Sequence, residues 1–299
     1  MNRARLVRPL PASEVAWGKA QILLASVLWG TTGTSQALAP EGVEPLAVAA
    51  LRVGFGGLAL VGLAALRNLL RPMRPLPVVL GAASLVAAQL AFFAALEKTG
   101  VAVGTVVAIG SSPIFAGGLA RIVRGERPGR SWSIATALAI AGCVLLLTAG
   151  RSVEVDPLGV GLALIVGIGY AGYILSTKDL VEQHPPESVT AAVFGVASIC
   201  MLPLLFFTNL SWATGPKGIL IVAHLSLITV AFAYTIFSHG LTVVPAATAV
   251  TLTLAEPMTA GILGVAVLGE RLSLAAFAGA GLVLAGLVLL TLPDGSTGR

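Results

Sequence analysis

The amino-acid sequence predicts an all-α integral membrane protein whose ten transmembrane helices form two inverted five-helix repeats. Three observations predict this fold: the composition, a series of long apolar runs, and an internal repeat. Of 299 residues, 57% are hydrophobic and only 10% are charged, and the mean hydropathy is +0.96. Soluble globular chains are about one quarter charged, so this composition indicates that lipid surrounds most of the chain.

Ten apolar runs are long enough to cross a bilayer, since a membrane helix needs about 20 mostly apolar residues. They cover residues 20–38, 46–66, 78–96, 101–123, 132–149, 158–177, 189–207, 219–237, 243–268 and 274–292. A membrane β-barrel would instead show segments of about 10 residues with alternating apolar and polar side chains. Residues 282–290 are apolar at every position, which is typical of a helix and not of such a strand.

The chain also repeats itself with a shift of 144 residues over the last two runs of each half. The matching pairs are Pro113 with Pro257, Ala116-Gly117 with Ala260-Gly261, Gly125-Glu126-Arg127 with Gly269-Glu270-Arg271, and Ala141-Gly142 with Ala285-Gly286. We predict a first repeat at 20–150 and a second at 151–292, flanked by cytoplasmic segments at 1–19 and 293–299. Five crossings per repeat make the second copy inverted, and inverted repeats are typical of secondary transporters.

The positions of the basic residues predict the orientation in the membrane. With the N-terminus inside, the inner side receives Arg3, Arg5, Arg8, Lys19, Arg67, Arg71, Arg74, Arg121, Arg124, Arg127, Arg130, Lys178 and Arg299, and the outer side Lys98, Arg151, Lys217 and Arg271. Because positive loops stay in the cytoplasm, we expect both termini there, in a bacterial inner membrane. This distribution explains the net charge of +5 without a nucleic-acid partner.

Several short motifs occur in an order that resembles a known family. They are Trp29-Gly30, Arg52, Ala94-Ala95-Leu96, and the duplicated proline followed by Gly-Glu-Arg. With the ten runs, they make the chain similar to the EamA-type carriers of the drug/metabolite transporter superfamily, and most like the YddG-type amino-acid exporters. The resemblance implies ten helices around a central solute cavity, and it leaves the substrate open.

Two prolines and one carboxylate predict where a solute binds. Pro113 and Pro257 each remove a helical hydrogen bond near the middle of a run, so we expect matched helix breaks and gating elements facing one cavity; structural kinks facing lipid are the alternative. Glu256 is a carboxylate at mid-membrane, where charge is costly and usually functional. It would bind a substrate amine or a proton, or it would form a hydrogen bond within the bundle.

The remaining candidate residues are polar or aromatic side chains that share helix faces within the runs. They are Gln89, Phe93, Ser112, Tyr170, Tyr173 and Tyr234. We predict that they line the substrate site and favour aromatic or apolar amino acids, although ordinary packing is the alternative for each. Arg52 lies about 10 Å inside the second run, and we interpret it as structural, with a side chain that extends to the surface. We expect Glu126 and Glu270 to pair with Arg127 and Arg271 or with helix ends.

Other classes of protein fit the sequence less well. The sequence contains no H-E-x-x-H, G-x-S-x-G or P-loop motif, so we expect no enzyme, cofactor or metal site. Residues 167–172 fit G-x-G-x-x-G, but they lie inside an apolar run and predict close helix packing instead. We therefore expect a carrier that exports amino acids or related metabolites, functional as a monomer in the lipid bilayer. A channel, or an intramembrane enzyme without a recognisable motif, is the alternative.

Overall fold

The computed structural model describes residues 11–148, 156–269, 271 and 273–292, apart from the side chains at positions 93 and 100–102. Throughout this part of the chain the regular structure is helical, and it contains no strand. The helices are α1 (Ala12–Ala37), α2 (Pro45–Leu66), α3 (Pro75–Thr99), α4 (Val103–Arg124), α5 (Arg130–Thr148), α6 (Pro157–Val181), α7 (Pro186–Phe207), α8 (Pro216–Val243), α9 (Ala246–Leu268) and α10 (Leu274–Thr291). The prediction of an all-α membrane fold is confirmed.

Within the described residues, nine of these helices are both long and apolar enough to cross a membrane, and α1 is the exception. Its 26 residues span about 39 Å at about 1.5 Å per residue, which exceeds the thickness of the hydrocarbon core. The helix begins at Ala12, eight residues before the apolar run at Ala20. Hydropathy marks only the part in lipid, whereas the helix continues beyond it with Glu14 in its first turn, where a negative charge is favourable.

Helices α3 and α4 are the two arms of a hairpin. Helical geometry continues from Pro75 to Arg124, but a straight helix would separate Ala95 from Gly104 by about 13 Å. A Cβ atom placed on Gly104 would instead lie 3.5 Å from the carbonyl carbon of Ala95. The chain therefore reverses between the two residues, and each arm crosses the membrane once.

Close contacts at glycines reveal the relation between the halves, in which α1 corresponds to α6, α3 to α8 and α4 to α9. A Cβ atom on Gly18 of α1 would lie 3.2 Å from the Gly240 carbonyl oxygen of α8, and one on Gly30 would lie 2.8 Å from the Glu256 carbonyl oxygen of α9. In the other half, α6 makes the corresponding contacts. A Cβ atom on Gly169 would lie 2.9 Å from the Ser84 carbonyl oxygen of α3, and one on Gly167 would lie 3.2 Å from the Ala108 carbonyl oxygen of α4. These glycines of residues 167–172 thus serve helix packing, as predicted.

The repeat is also visible at the ends of α4 and α9. Both helices end at a glycine in the left-handed conformation, Gly125 with φ 68° and Gly269 with φ 70°. Each of these glycines donates its N–H to a carbonyl five residues earlier, on Ala120 and on Gly264 respectively. Glycine adopts positive φ without steric cost, so the duplicated glycine terminates each helix in the same way. The two inverted five-helix repeats are confirmed.

The two repeated prolines differ in their effect. Helix α9 is interrupted at Thr253 and Leu254, because Pro257 has no N–H to donate to the Thr253 carbonyl four residues earlier. Helix α4 is continuous through Pro113, so the prediction of a matching break there is wrong. The ring of a single proline bends a helix without breaking it where neighbouring helices support the backbone.

Helices α5 and α10, which correspond to each other, pack closely at Gly142 and Gly279. A Cβ atom on Gly142 would lie 2.6 Å from the Gly279 carbonyl oxygen and 2.6 Å from the Val283 nitrogen. We expect Gly142→Ala to lower the free energy of unfolding by about 1–3 kcal/mol, because backbone atoms cannot rotate away from the added methyl group. The measurement is the Tm of the purified protein in detergent.

Gly281→Ala is the matched control, since no atom lies within 4 Å of a Cβ atom at that position. Its Tm should be unchanged or slightly higher, because alanine favours a helix over glycine by about 1 kcal/mol. Equal effects of the two substitutions would contradict the close approach of α5 and α10.

Candidate functional site

A central cavity of about 1000 Å³ lies between the two repeats. Its lining comes from α1 to α5 in the first repeat and from α6, α8 and α9 in the second. The cavity includes Gln36 at the end of α1, Pro45 at the start of α2, and Glu97 near the end of α3. It therefore extends to the end of the bundle where α1 ends and α2 begins, which we call the mouth end. Ligand sites for small molecules have volumes of about 300–1,000 Å³, so the space admits a small organic solute.

Most of the sequence-predicted site residues lie in this cavity. Gln89, Ser112, Tyr170, Tyr173, Tyr234, Glu256 and Pro257 are among the lining residues. The side chain of Phe93 lies outside the described residues, whereas its neighbour Phe92 lines the cavity. Pro113 is buried but does not belong to the lining. The cavity thus brings these seven residues together, and their role in binding stays a prediction.

Arg52 is the residue that the sequence interpretation missed. Its side chain lines the cavity instead of reaching the surface, and its Nε is buried without a hydrogen-bond partner. The described ion pairs do not include it. The signal was available in the sequence, because an arginine within a membrane span is expensive and marks a functional site by default.

Glu256 lies at the interruption of α9, in the first turn of the segment Ala255–Leu268. A helix N-terminus favours a negative charge, since its free N–H groups carry partial positive charge. Gly30 allows α1 to pack directly against this turn. None of the described hydrogen bonds and ion pairs involves the Glu256 carboxylate. The predicted alternative, in which Glu256 forms a hydrogen bond to another helix, therefore has no counterpart among the described residues. The carboxylate interacts electrostatically with Arg52.

An aromatic floor lies beneath the cavity. It consists of Trp29, Tyr173, Phe194, Tyr234 and Phe237, all at most 7% exposed. Tyr234 is at its centre, with ring centroids 4.6 Å from Trp29, 4.6 Å from Phe194 and 5.7 Å from Tyr173. Tilted and edge-on pairs of this kind stabilise each other beyond their buried area. The floor gives the cavity a rigid apolar surface.

A π-helix in α8 holds the floor in place. Over His224–Phe232 the helix is wider than an α-helix, and the N–H of Ala233 bonds to the carbonyls of Ile228 and Val230. In an α-helix that N–H would bond to the carbonyl of Thr229. The freed Thr229 carbonyl accepts a hydrogen bond of 2.9 Å from the Trp29 indole Nε1 instead. The irregular helix therefore fixes one side chain that lines the cavity, as is frequent for π-bulges at functional sites.

An ion cluster lies at the opposite end of the bundle, which we call the base end, and consists of Arg124, Glu126, Lys178, Asp179 and Glu182. Arg124 at the end of α4 forms ion pairs with Glu126 at 2.8 Å, with Glu182 at 2.5 Å, and with Asp179. Of the two predicted alternatives for Glu126, it pairs with the end of a helix and not with Arg127, because the turn after Gly125 directs Glu126 back towards α4. Glu270, its repeat mate, lies outside the described residues.

Lys178 extends the ion cluster to a third helix. Its Nζ donates to the carbonyls of Leu241 at 2.7 Å and Thr242 at 3.2 Å, at the end of α8. The side chain is 8% exposed, and Glu182 lies 3.7 Å away. The cluster thus ties the base ends of α4, α6 and α8 together. Sequence spacing could not show this, because the partners come from three different spans.

The chemistry of the cavity is that of binding. It combines a cation, a carboxylate, an amide and hydroxyl groups with an aromatic surface. Within the described residues, no three His, Cys, Asp or Glu side chains are grouped as metal ligands. Ser112 already donates its hydroxyl to the Ala108 carbonyl at 2.7 Å, so towards a ligand it acts as an acceptor.

Comparison with known proteins agrees with this architecture. The EamA-like transporter family matches residues 16–148 and 157–292. The uncharacterized transporter YwfM of Bacillus subtilis (strain 168) is 44% identical over 272 residues, which are 90% of this chain and 92% of that protein. The threonine/homoserine exporter RhtA of Escherichia coli (strain K12) is 30% identical over 141 residues, 46% of each chain.

A crystal structure with the same fold aligns with a TM-score of 0.77 and 21% sequence identity, over 91% of this chain and 95% of the other. The family match spans both repeats, and the alignment with YwfM spans nearly all of both proteins. The chain is therefore a multi-pass membrane protein that belongs to the EamA-like transporter family.

Proposed function

We propose that the protein is a secondary carrier that exports amino acids or related small metabolites by alternating access. The observation that carries this proposal is the cavity between two inverted repeats, which extends to the mouth end, while an ion cluster joins helices at the base end. Inverted repeats can exchange conformations, so the same site can face either side in turn. The partial similarity to RhtA, a threonine/homoserine exporter, supports amino acids as the substrate class.

The orientation follows from the basic residues, which place the base end in the cytoplasm and the mouth end outside. The conformation described here is then outward-facing. During export, the solute enters from the cytoplasm when the ion cluster separates, and it leaves through the mouth. A continuous pore, as in a channel, would need both ends open together.

The aromatic floor favours amino acids with apolar or aromatic side chains. Apolar ligand surface buried against the floor contributes about 25 cal/mol per Å². Gln89 and Ser112 also line the cavity and are available for the polar groups of the ligand.

The decisive experiment is counterflow in proteoliposomes. Purified protein is reconstituted with unlabelled amino acids inside, and entry of labelled phenylalanine, threonine and leucine is measured with and without a pH gradient. Saturable uptake that depends on the internal amino acid and is competed by unlabelled solute is expected of a carrier. Non-saturable flux would indicate a channel, and no uptake of any amino acid tested would refute the substrate class.

The ion cluster should hold the base end closed. We expect Arg124→Gln to increase the fraction of molecules that are open at that end about tenfold, since three ion pairs are lost at once. A tenfold change corresponds to about 1.4 kcal/mol. Cys143 and Cys200 are first replaced by serine, and a cysteine is introduced at Ile174. The readout is the rate at which an impermeant maleimide, applied from the base side, labels this cysteine. Arg121→Gln is the control, because Arg121 is exposed on the same helix. Equal labelling in both variants would contradict a sealing role.

Gly30 should be required to position Glu256. We expect Gly30→Ala to reduce transport about tenfold or more, because its methyl group would displace the turn of α9 that carries the carboxylate, and misplacement by about 1 Å can cost about a hundredfold. Gly62→Ala on α2 is the control, since Gly62 lies outside the cavity lining and no atom lies within 4 Å of a Cβ atom there. Initial rates of counterflow measure both variants. Comparable losses in the two would show that the loss does not arise from the contact with Glu256, and would contradict the specific role of Gly30.

A further inference from the structure

Two opposite charges face the same cavity without forming an ion pair. Arg52 comes from α2 in the first repeat and Glu256 from α9 in the second, and both side chains line the cavity. They interact electrostatically, but the Arg52 nitrogens lie more than 4.0 Å from the Glu256 carboxylate oxygens, which is too far for an ion pair. A charge in the hydrocarbon region is normally neutralised by a direct partner. The space between these two groups is therefore the place where neutralising partners are missing.

The Arg52 guanidinium is prepared for an anion. Its Nε is buried, and no described group accepts its hydrogen bond. Buried donors without an acceptor are rare in native proteins because they lose hydration without compensation. A guanidinium binds a carboxylate through two parallel hydrogen bonds, so a carboxylate within the cavity would satisfy this donor.

The Glu256 carboxylate requires a cation. No described donor reaches it, and the nearby helix N-terminus stabilises its charge without neutralising it. An ammonium group in the cavity would supply charge-assisted hydrogen bonds to both oxygens. The aromatic hydroxyl groups of Tyr170 and Tyr234 interact electrostatically with both Arg52 and Glu256, so the two charges and the floor form one site.

We propose that Arg52 and Glu256 together recognise a zwitterion, with Arg52 binding the carboxylate and Glu256 the ammonium of one amino-acid molecule. The proposal rests on the proposed function and specifies what the site selects. A dicarboxylate would bring one anion against Glu256, and a diamine would bring one cation against Arg52. A zwitterion neutralises both residues at once, and its side chain then lies on the aromatic floor.

The test compares three ligands that share a phenyl group. Binding of labelled L-phenylalanine to the purified full-length protein is competed by unlabelled phenylalanine, by 2-phenylethylamine, which lacks the carboxylate, and by 3-phenylpropionate, which lacks the ammonium. The unsubstituted protein should prefer phenylalanine to each analogue by at least about tenfold, since each analogue leaves one buried charge unpaired.

Substitutions should change these preferences in opposite directions. In Glu256→Gln the preference for phenylalanine over 3-phenylpropionate should fall by about tenfold or more, while that over 2-phenylethylamine persists. In Arg52→Gln the preference over 2-phenylethylamine should fall, while that over 3-phenylpropionate persists. Arg67→Gln, at the exposed end of the same helix as Arg52, should leave both preferences unchanged.

The outcomes separate this proposal from the proposed function. If the unsubstituted protein binds phenylalanine but neither substitution alters the preferences, or both weaken all ligands equally, the zwitterion site is refuted and the carrier function is not. Absence of binding and counterflow for every amino acid would refute the substrate class itself. Size-exclusion profiles and Tm values report folding. If Arg52→Gln fails to fold, Arg52→Lys is measured in its place. The zwitterion site is then accepted only if Glu256→Gln selectively lowers the preference over 3-phenylpropionate, and it is refuted otherwise.

Discussion

Lipid hydrocarbon provides no hydrogen-bond partners, so every polar group in the spans must find its partner within the protein. Regular helices satisfy nearly all of the backbone groups. The irregular positions in α8 and α9 depart from that pattern, and both lie at the cavity. In α8 the freed carbonyl of Thr229 accepts the Trp29 indole, and in α9 the interruption before Pro257 exposes a helix N-terminus next to Glu256. The backbone groups that depart from the regular helical pattern in α8 and α9 thus lie at the centre of the bundle, next to the cavity.

The backbone of the protein is nearly symmetric, whereas its chemistry is not. Glycine contacts place α1 against α8 and α9 in the same way as α6 against α3 and α4. The residue equivalent to Glu256 is Ser112, and α7, the equivalent of α2, contributes none of the cavity-lining residues described. A symmetric scaffold allows two equivalent conformations, and an asymmetric site gives the bound solute one defined orientation. Both properties are useful to a carrier that must bind the same molecule from either side.

The two ends of the bundle are stabilised by different interactions. At the base end, long cationic side chains from α4 and α6 reach across to acidic residues and to carbonyls of α8. Such contacts are partly hydrated and individually weak, so they can separate without the cost of unpacking a core. The membrane-embedded helix contacts rely on glycine and close backbone packing, which hold the helices as rigid units. Rigid helices with a separable polar seal are what rocking between two conformations requires.

The sequence by itself determined the fold class, the approximate positions of the spans, and the inverted repeat. Length and hydropathy decide whether a segment enters lipid, and an odd number of crossings decides the relative orientation of the halves. It also indicated several residues that line the cavity, since a shared helix face is a local property. Pro113 shows the limit of local reasoning, because the same residue that interrupts α9 leaves α4 continuous.

Only the tertiary structure decided which charges face one another. Arg52 looked like a residue extending to the surface, and the sequence left open whether Glu126 pairs with Arg127 or with a helix end, because sequence spacing describes neighbours on one helix alone. The cavity brings Arg52 from α2 near Glu256 from α9, and the base end brings Arg124 to partners on α6. These encounters depend on the order in which the helices pack, and hydropathy, which is averaged over whole helices, carries no information about that order.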